Sequence, residues 1–231
     1  MIEVYAVDIS QPMEPGMYER LLTRTAPEKS ARIQRFYRME DRLRGLVADI
    51  LIRSIIIPKT GLKNNRIEFY TNDYGKPFLK GKEDFQFNLS HSGIWVVAAV
   101  DTQPIGIDVE NIQTIDLDIS KNYYSPDEHR ELMSKEDKFS YFFTLWSLKE
   151  SYIKIVGKGL SLPLNSFSIT FFGPGDIRIK AEGRLLEDIF FCQYDIHKDY
   201  KMAVCAHHTN FPEGITIKTM PQLADEFLAK Y

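Results

Sequence analysis

The chain predicts an α+β fold in two similar halves, each a long helix packed on a small, mostly antiparallel sheet. Two observations predict it. The order strand, long helical segment, three strands occurs twice within 231 residues. Each helical segment also opens on a capping signature that contains proline, at Pro27 and at Pro126. Strands grouped around two long helices suit helices packed on an antiparallel sheet.

The elements follow in order. Residues 2–7 read as a first strand. Thr25-Ala26-Pro27-Glu28 reads as a helix start: threonine caps, proline suits the first helical position, and glutamate reaches back to close a capping box. Apolar residues then recur at helical spacing through Ile33, Phe36, Tyr37, Leu43, Leu46, Val47, Ile50 and Leu51, as far as Ile57, and Pro58 and Gly61 are expected to stop the helix. Strands are expected at 66–70, 85–89 and 95–100. Residues 101–104 join the halves, so the first half is 1–103 and the second 104–231. The second half repeats the pattern with a strand at 105–109 and a capping box at Ser125-Pro126-Asp127-Glu128. Its helical run passes through Phe139, Phe142, Phe143, Trp146 and Ile153, with a break near 134–137 and an end at Gly157-Lys158-Gly159. Strands at 167–171, 190–194 and 202–206 complete it. Coincidence between two ordinary α+β patterns is the competing reading.

Composition removes several function classes. With 44% hydrophobic and 26% charged residues, the chain reads as an ordinary soluble protein with a real core. A net charge of −3 offers no global basic field for nucleic acid. Cys192 and Cys205 form no zinc pattern and no disulfide framework. No apolar run reaches the ~20 residues that span a bilayer. The N-terminus carries Glu3 where a signal peptide has a basic region. A cytoplasmic protein with reduced thiols, contacting neither membrane nor nucleic acid, is the expectation.

The chemistry concentrates in two acidic motifs, Ile105-Gly106-Ile107-Asp108-Val109-Glu110 and Trp146-Ser147-Leu148-Lys149-Glu150-Ser151-Tyr152-Ile153-Lys154. Asp108 and Glu110, two apart on a strand, share a face and can reach one ion. Glu150 adds a third carboxylate from a helix. Three carboxylates with open positions suit magnesium holding substrate phosphates, whereas zinc wants histidine or cysteine. A solvated strand end is the plain alternative for Asp108 and Glu110. Trp146, Glu150 and Lys154 fall at i, i+4 and i+8 on one helical face. They form either an exposed ion pair or, if Trp146 turns that face inward, charges held inside for a purpose. Lys149 points about 100° away around the helix and its role is undetermined.

Asn88-Leu89-Ser90-His91-Ser92-Gly93 lies between two strands, either as a set of phosphate donors or as a hairpin turn with a surface histidine. Basic residues cluster on the first helix at Lys29, Arg32, Arg35, Arg38, Arg42 and Arg44, a pattern usually solvated. Lys29 and Arg32, however, sit near the helix N-terminus, where positive charge opposes the macrodipole and a bound anion would compensate. The chain has no Gly-x-x-x-x-Gly-Lys-Ser/Thr loop and no nucleophile elbow.

Together these residues resemble the 4'-phosphopantetheinyl transferase superfamily, in its larger, surfactin-synthetase-activating type. Residues 106–110 and 146–154 match the family's two signatures, the second continuing through Gly157-Lys158-Gly159-Leu160-Ser161-Leu162-Pro163. Pro27-Glu28-Lys29, Tyr74-Gly75-Lys76-Pro77 and Phe87-Asn88-Leu89-Ser90-His91-Ser92 extend the resemblance over nearly the whole chain. The resemblance implies a pseudo-dimeric fold and an enzyme, a holo-[carrier protein] synthase. Its reaction moves the phosphopantetheine arm of coenzyme A to a serine of an apo acyl or peptidyl carrier protein and releases 3',5'-ADP.

It further implies Mg2+, with Mn2+ as the alternative, held by Asp108, Glu110 and Glu150. Glu150, Lys154 and His91 are the implied catalytic residues, His91 lying beside the phosphates. The favoured base is Glu150, and a metal-bound water polarised by Glu110 competes for that role. Lys29, Arg32, Arg44 and His91 match positions near the 3'-phosphate, Arg32 standing where lysine is expected. Tyr74, Gly75, Lys76 and Pro77 match the adenine region, and Ser90, His91 and Lys154 the phosphates. Carrier recognition would fall on residues 112–124 and from 160 onward, the first of these being equally readable as a loop that covers the core. Peptide, polyketide and fatty acid synthesis all stay open as pathways. A chain already paired with itself is expected to be a monomer. The alternative is a coenzyme A or nucleotide-binding module without transfer activity, against which the complete acidic triplet and Lys154 argue.

Overall fold

A computed structural model describes residues 1–173 and 175–231; the side chain of Leu160, where the second carrier-binding segment was expected to begin, lies outside it. The chain is mixed α and β. It runs β1 (Glu3–Asp8), α1 (Met17–Leu22), α2 (Pro27–Gln34), α3 (Met39–Thr60), β2 (Phe69–Thr71), β3 (Pro77–Leu79), β4 (Gln86–Ser92), β5 (Trp95–Asp101) and β6 (Ile105–Asn111). It continues with α4 (Ser120–Tyr123), α5 (Pro126–Ser134), α6 (Lys138–Val156), β7 (Phe167–Gly173), β8 (Asp176–Ala181), β9 (Arg184–Leu185), β10 (Phe190–Gln193), β11 (Tyr200–Ala206), β12 (Thr216–Thr219) and α7 (Met220–Lys230).

One sheet has the order β12-β1-β5-β4, and a second has the order β10-β11-β6. Pairing is antiparallel throughout, except that β12 joins β1 in parallel. Alternation along the strands builds three apolar layers. Val4 and Ala6 of β1, Val97 and Ala99 of β5, Ile107 and Val109 of β6 and Val204 of β11 meet in one core between the two sheets. Val96 and Ala98 of β5 face the other way, onto Leu46, Ile50 and Leu51 of α3. Ala203 and Cys205 of β11 face Leu145, Leu148 and Tyr152 of α6. On β6, the residues that alternate with the inter-sheet core are Gly106, Asp108 and Glu110. The pleat therefore turns the acidic pair away from that core.

Two close approaches fix where the catalytic-looking elements lie. A Cβ built on Gly106 would sit 1.9 Å from the carbonyl oxygen of Ser151. Only glycine lets α6 cross β6 at this distance, and the crossing falls one residue beyond Glu150. Along the edge, β4 lies against β6 through side chains: the Ile107 N–H donates to Asn88 Oδ1 at 3.0 Å, and the Asn111 N–H donates to Ser92 Oγ at 3.1 Å.

The long first helix expected from Pro27 is two helices. It breaks at residues 35–38: Tyr37 is 97% exposed, and Phe36, 39% exposed, reaches only the surface of α3 at Gly45. Gly45 admits the Phe36 and Ile33 side chains where α2 folds back on α3. Thr25 does not cap α2. Its hydroxyl donates to Leu22 O at the end of α1, and Ala26 takes the cap position. Pro58 does not end α3, which runs one turn further and stops at Gly61, in the left-handed region at φ 70°. Proline there removes only the bond to the Ser54 carbonyl, while Ile55 and Ile56 remain buried. The capping box at Ser125 and Glu128 forms as expected, α5 and α6 are separated at residues 135–137, and α6 ends at Gly157 with φ 74°.

Candidate active site

The site forms where α6, β4 and β6 meet. Asp108 is buried, because the pleat directs it under α6. Its Oδ1 accepts from Lys154 Nζ at 2.6 Å and from Ser90 Oγ at 2.8 Å. Lys154 Nζ also donates to Ser90 Oγ at 2.9 Å and to Ile107 O at 3.1 Å. Lys154 thus bolts α6 to both strands. The second oxygen of Asp108 is buried with no hydrogen-bond partner. Glu110 takes a 3.2 Å hydrogen bond from the Ser92 hydroxyl.

All three carboxyls are pushed above their ordinary range. Burial pushes Asp108 up, against the pull of the Lys154 ammonium. Burial and the neighbouring Asp108 charge push Glu110 up to about 7. Burial and Asp108 likewise push Glu150 up. Three acids facing one ammonium leave uncompensated negative charge, which a divalent cation would relieve. Among the described residues, no group of three or more His, Cys, Asp and Glu stands ready-made to hold a metal ion. The orphaned Asp108 oxygen, the all-oxygen donor set and the mutual repulsion nevertheless fit a hard cation.

A cavity of about 280 Å³ opens beside these residues. Glu150, Ile153 and Lys154 of α6, Asn88 and Leu89 of β4, and Tyr74, Gly75, Lys76 and Pro77 of the β2–β3 hairpin line it. Residues 80 positions apart in the chain therefore share one pocket. His91 is exposed on β4, near Arg44 and Lys154; desolvation of its ring and these positive charges push its imidazole below the ordinary value. Arg44 is held by Gly93 O at 2.8 Å and by the Asp41 carboxylate at 2.7 Å. Lys29, on α2, lies near Asp49, Arg32 and Arg53, and burial lowers its pKa. Arg32 is exposed on α2.

A family model described as "4'-phosphopantetheinyl transferase superfamily" matches residues 104–205, and one described as "4'-phosphopantetheinyl transferase, N-terminal" matches residues 11–103. The 4'-phosphopantetheinyl transferase Sfp of Bacillus subtilis (strain 168) is 41% identical over 224 residues, covering 96% of this chain and 100% of that protein. The chain belongs to the 4'-phosphopantetheinyl transferase family. It is a transferase. The 4'-phosphopantetheinyl transferase psf-1 of Bacillus pumilus is 36% identical over 94% of this chain and 95% of its own length. The 4'-phosphopantetheinyl transferase gsp of Aneurinibacillus migulanus is 33% identical over 99% and 96%.

This transferase contains two features that motif reading left undetermined. Trp146 is only half-buried, stacked on Phe142 at 5.6 Å between ring centroids. The fully buried charge on α6 is Lys149, at 0% exposure. It donates to Phe167 O at 2.6 Å and Leu164 O at 2.9 Å, and it pairs with Glu128 at 2.9 Å. Glu128 also accepts from the N–H groups of Ser125 and Ile169. This knot ties α5, α6 and β7 together beside Glu150. Its signal was available: Lys149 has Leu145, Leu148 and Ile153 around it on the helix surface. A second cavity, of about 630 Å³, lies on the far side of Glu110 and is lined by Ile115, Ile119, Phe142, Phe143 and Trp146. A further cavity, about 750 Å³ between Thr25, Arg53 and Tyr231, includes none of the acidic motif residues. Among the described residues, no helix is long and apolar enough to cross a membrane.

Proposed function

We propose that the chain transfers the 4'-phosphopantetheine arm of coenzyme A to a serine hydroxyl of an apo acyl or peptidyl carrier protein, releasing 3',5'-ADP. The observation that carries this reading is the shared cavity, which joins Glu150 and Lys154 to the Tyr74–Pro77 turn across the β4–β6 seam. The relatives bear the name of this activity over nearly their full lengths.

In this reading, Tyr74, Gly75, Pro77 and the backbone of Lys76 flank the adenine. Ser90 and His91 flank the phosphates, and Arg44, His91, Lys29 and Arg32 meet the 3'-phosphate. Asp108, Glu110 and Glu150 would hold Mg2+ or Mn2+, which when bound neutralises and orients the pyrophosphate. Glu150 accepts the proton of the carrier serine as that oxygen attacks the phosphorus. A positioned base contributes roughly 10²–10⁴-fold. Lys154 holds its ammonium where charge develops on the leaving phosphate oxygen, and its bond to Ser90 keeps that donor aimed.

The halves 1–103 and 104–231 then form a pseudo-dimer. This is supported by the matching strand orders β1-β5-β4 and β6-β11-β10, and by the two family models meeting between residues 103 and 104. The carrier would dock along 112–124, beside the apolar cavity next to Glu110. A monomer in the cytoplasm completes the reading. The test is incubation with coenzyme A, magnesium and several apo carrier domains. A carrier that gains the mass of one phosphopantetheine arm supports it, and no gain on any carrier refutes it.

A further inference from the structure

The Lys76 side chain, at the wall of the cavity, reaches onto the end of α6. Its Nζ donates to Lys154 O at 2.6 Å and to Ile155 O at 3.2 Å. Those carbonyls belong to the last turn of α6, where backbone oxygens lack helical partners and the macrodipole is negative. Asn72, from the same hairpin, donates Nδ2 to Gly157 O at 2.8 Å, while its Oδ1 accepts from the N–H groups of Tyr74 and Lys76. Gly157 completes the fit: a Cβ there would stand 3.1 Å from Lys76 Cδ and 3.3 Å from Asn72 Nδ2. Lys154 is therefore gripped twice, its ammonium by Asp108 and Ser90 and its carbonyl by Lys76.

We infer that Lys76, with Asn72, is a positioning residue. It caps the C-terminus of α6 from the opposite half of the chain and so sets the depth at which Glu150 and Lys154 enter the site, instead of binding coenzyme A through its side chain. Any ligand that orders the 72–77 turn then also orders the catalytic helix. This rests on the transfer reading above.

The test uses the full chain, coenzyme A, magnesium and a carrier that the parent enzyme modifies. Lys76→Met is expected to lower kcat about tenfold, or about 1.4 kcal/mol, with KM for coenzyme A changed less than about threefold. Lys76→Arg recovers most of the loss. Amide exchange in the last turn of α6 speeds up in Lys76→Met and in Asn72→Asp, which keeps the turn acceptor and removes the donor to Gly157. A tenfold rise in KM at unchanged kcat would make Lys76 a ligand contact and overturn the inference. Unchanged α6 exchange in both variants would overturn it too. If the parent modifies no carrier, the transfer reading fails, and the exchange measurement still decides whether the cap exists.

Discussion

Replacing Gly106 with alanine tests how α6 is seated on β6. The new Cβ would stand 1.9 Å from Ser151 O, 2.9 Å from Ile155 N and 3.0 Å from Ser151 C. All three are backbone atoms, so no side-chain rotation relieves the clash. Bringing the first contact to 3.4 Å requires the helix backbone to retreat by about 1.5 Å, the difference between 3.4 and 1.9 Å. Glu150 precedes Ser151 and Lys154 follows three residues later, so both move away from Asp108. The Lys154–Asp108 hydrogen bond, 2.6 Å long, does not survive such a shift without rearrangement. Overpacking of this kind costs roughly 1–3 kcal/mol of stability. A misplacement of about an ångström at a reacting centre costs about 10²-fold in rate. Gly106→Ala is expected to fold, to melt several degrees lower, and to transfer at about a hundredth of the parent rate in a mass-resolved carrier assay. A variant with parent-like melting and turnover within threefold would refute the argument that α6 and β6 are locked at this crossing.

Other outcomes follow from the same geometry. Glu150→Gln abolishes transfer and retains most of the coenzyme A affinity, measured by calorimetry; near-parental turnover would exclude Glu150 as the base. Lys149→Met leaves the buried Glu128 carboxylate unpaired among backbone donors and costs about 3–5 kcal/mol in urea denaturation; a loss below about 1 kcal/mol would contradict the pairing. At Asp101, burial pushes the carboxyl up, but the Thr102 N–H, the His208 ring and the N-terminal ammonium 3.2 Å away hold it below its ordinary value. A depressed carboxylate stabilises the fold above about pH 4 and loses that contribution as pH falls through the folded value. Asp101→Asn should flatten the acid limb of a stability-versus-pH curve, and an unchanged limb would remove Asp101 as its source.

Local sequence was enough for features that depend on neighbours in the chain. The Ser125–Glu128 capping box, the glycine stops at Gly61 and Gly157, the alternation that pairs Asp108 with Glu110, and the helical face shared by Glu150 and Lys154 all follow from spacing and backbone chemistry. The break at residues 35–38 was not legible, because Phe36 and Tyr37 continue the helical spacing and only the folding of α2 back onto α3 leaves Tyr37 in solvent and Phe36 against Gly45. The β12–β1 pairing was not legible either, since it joins positions over 200 residues apart. Tertiary structure alone decided which charges are buried together. It placed Lys149 on Glu128, Lys154 on Asp108 and Ser90, and Lys76 on the end of α6. The physical reason is that a buried charge takes its meaning from its partners, and those partners come from elements that periodicity describes one at a time.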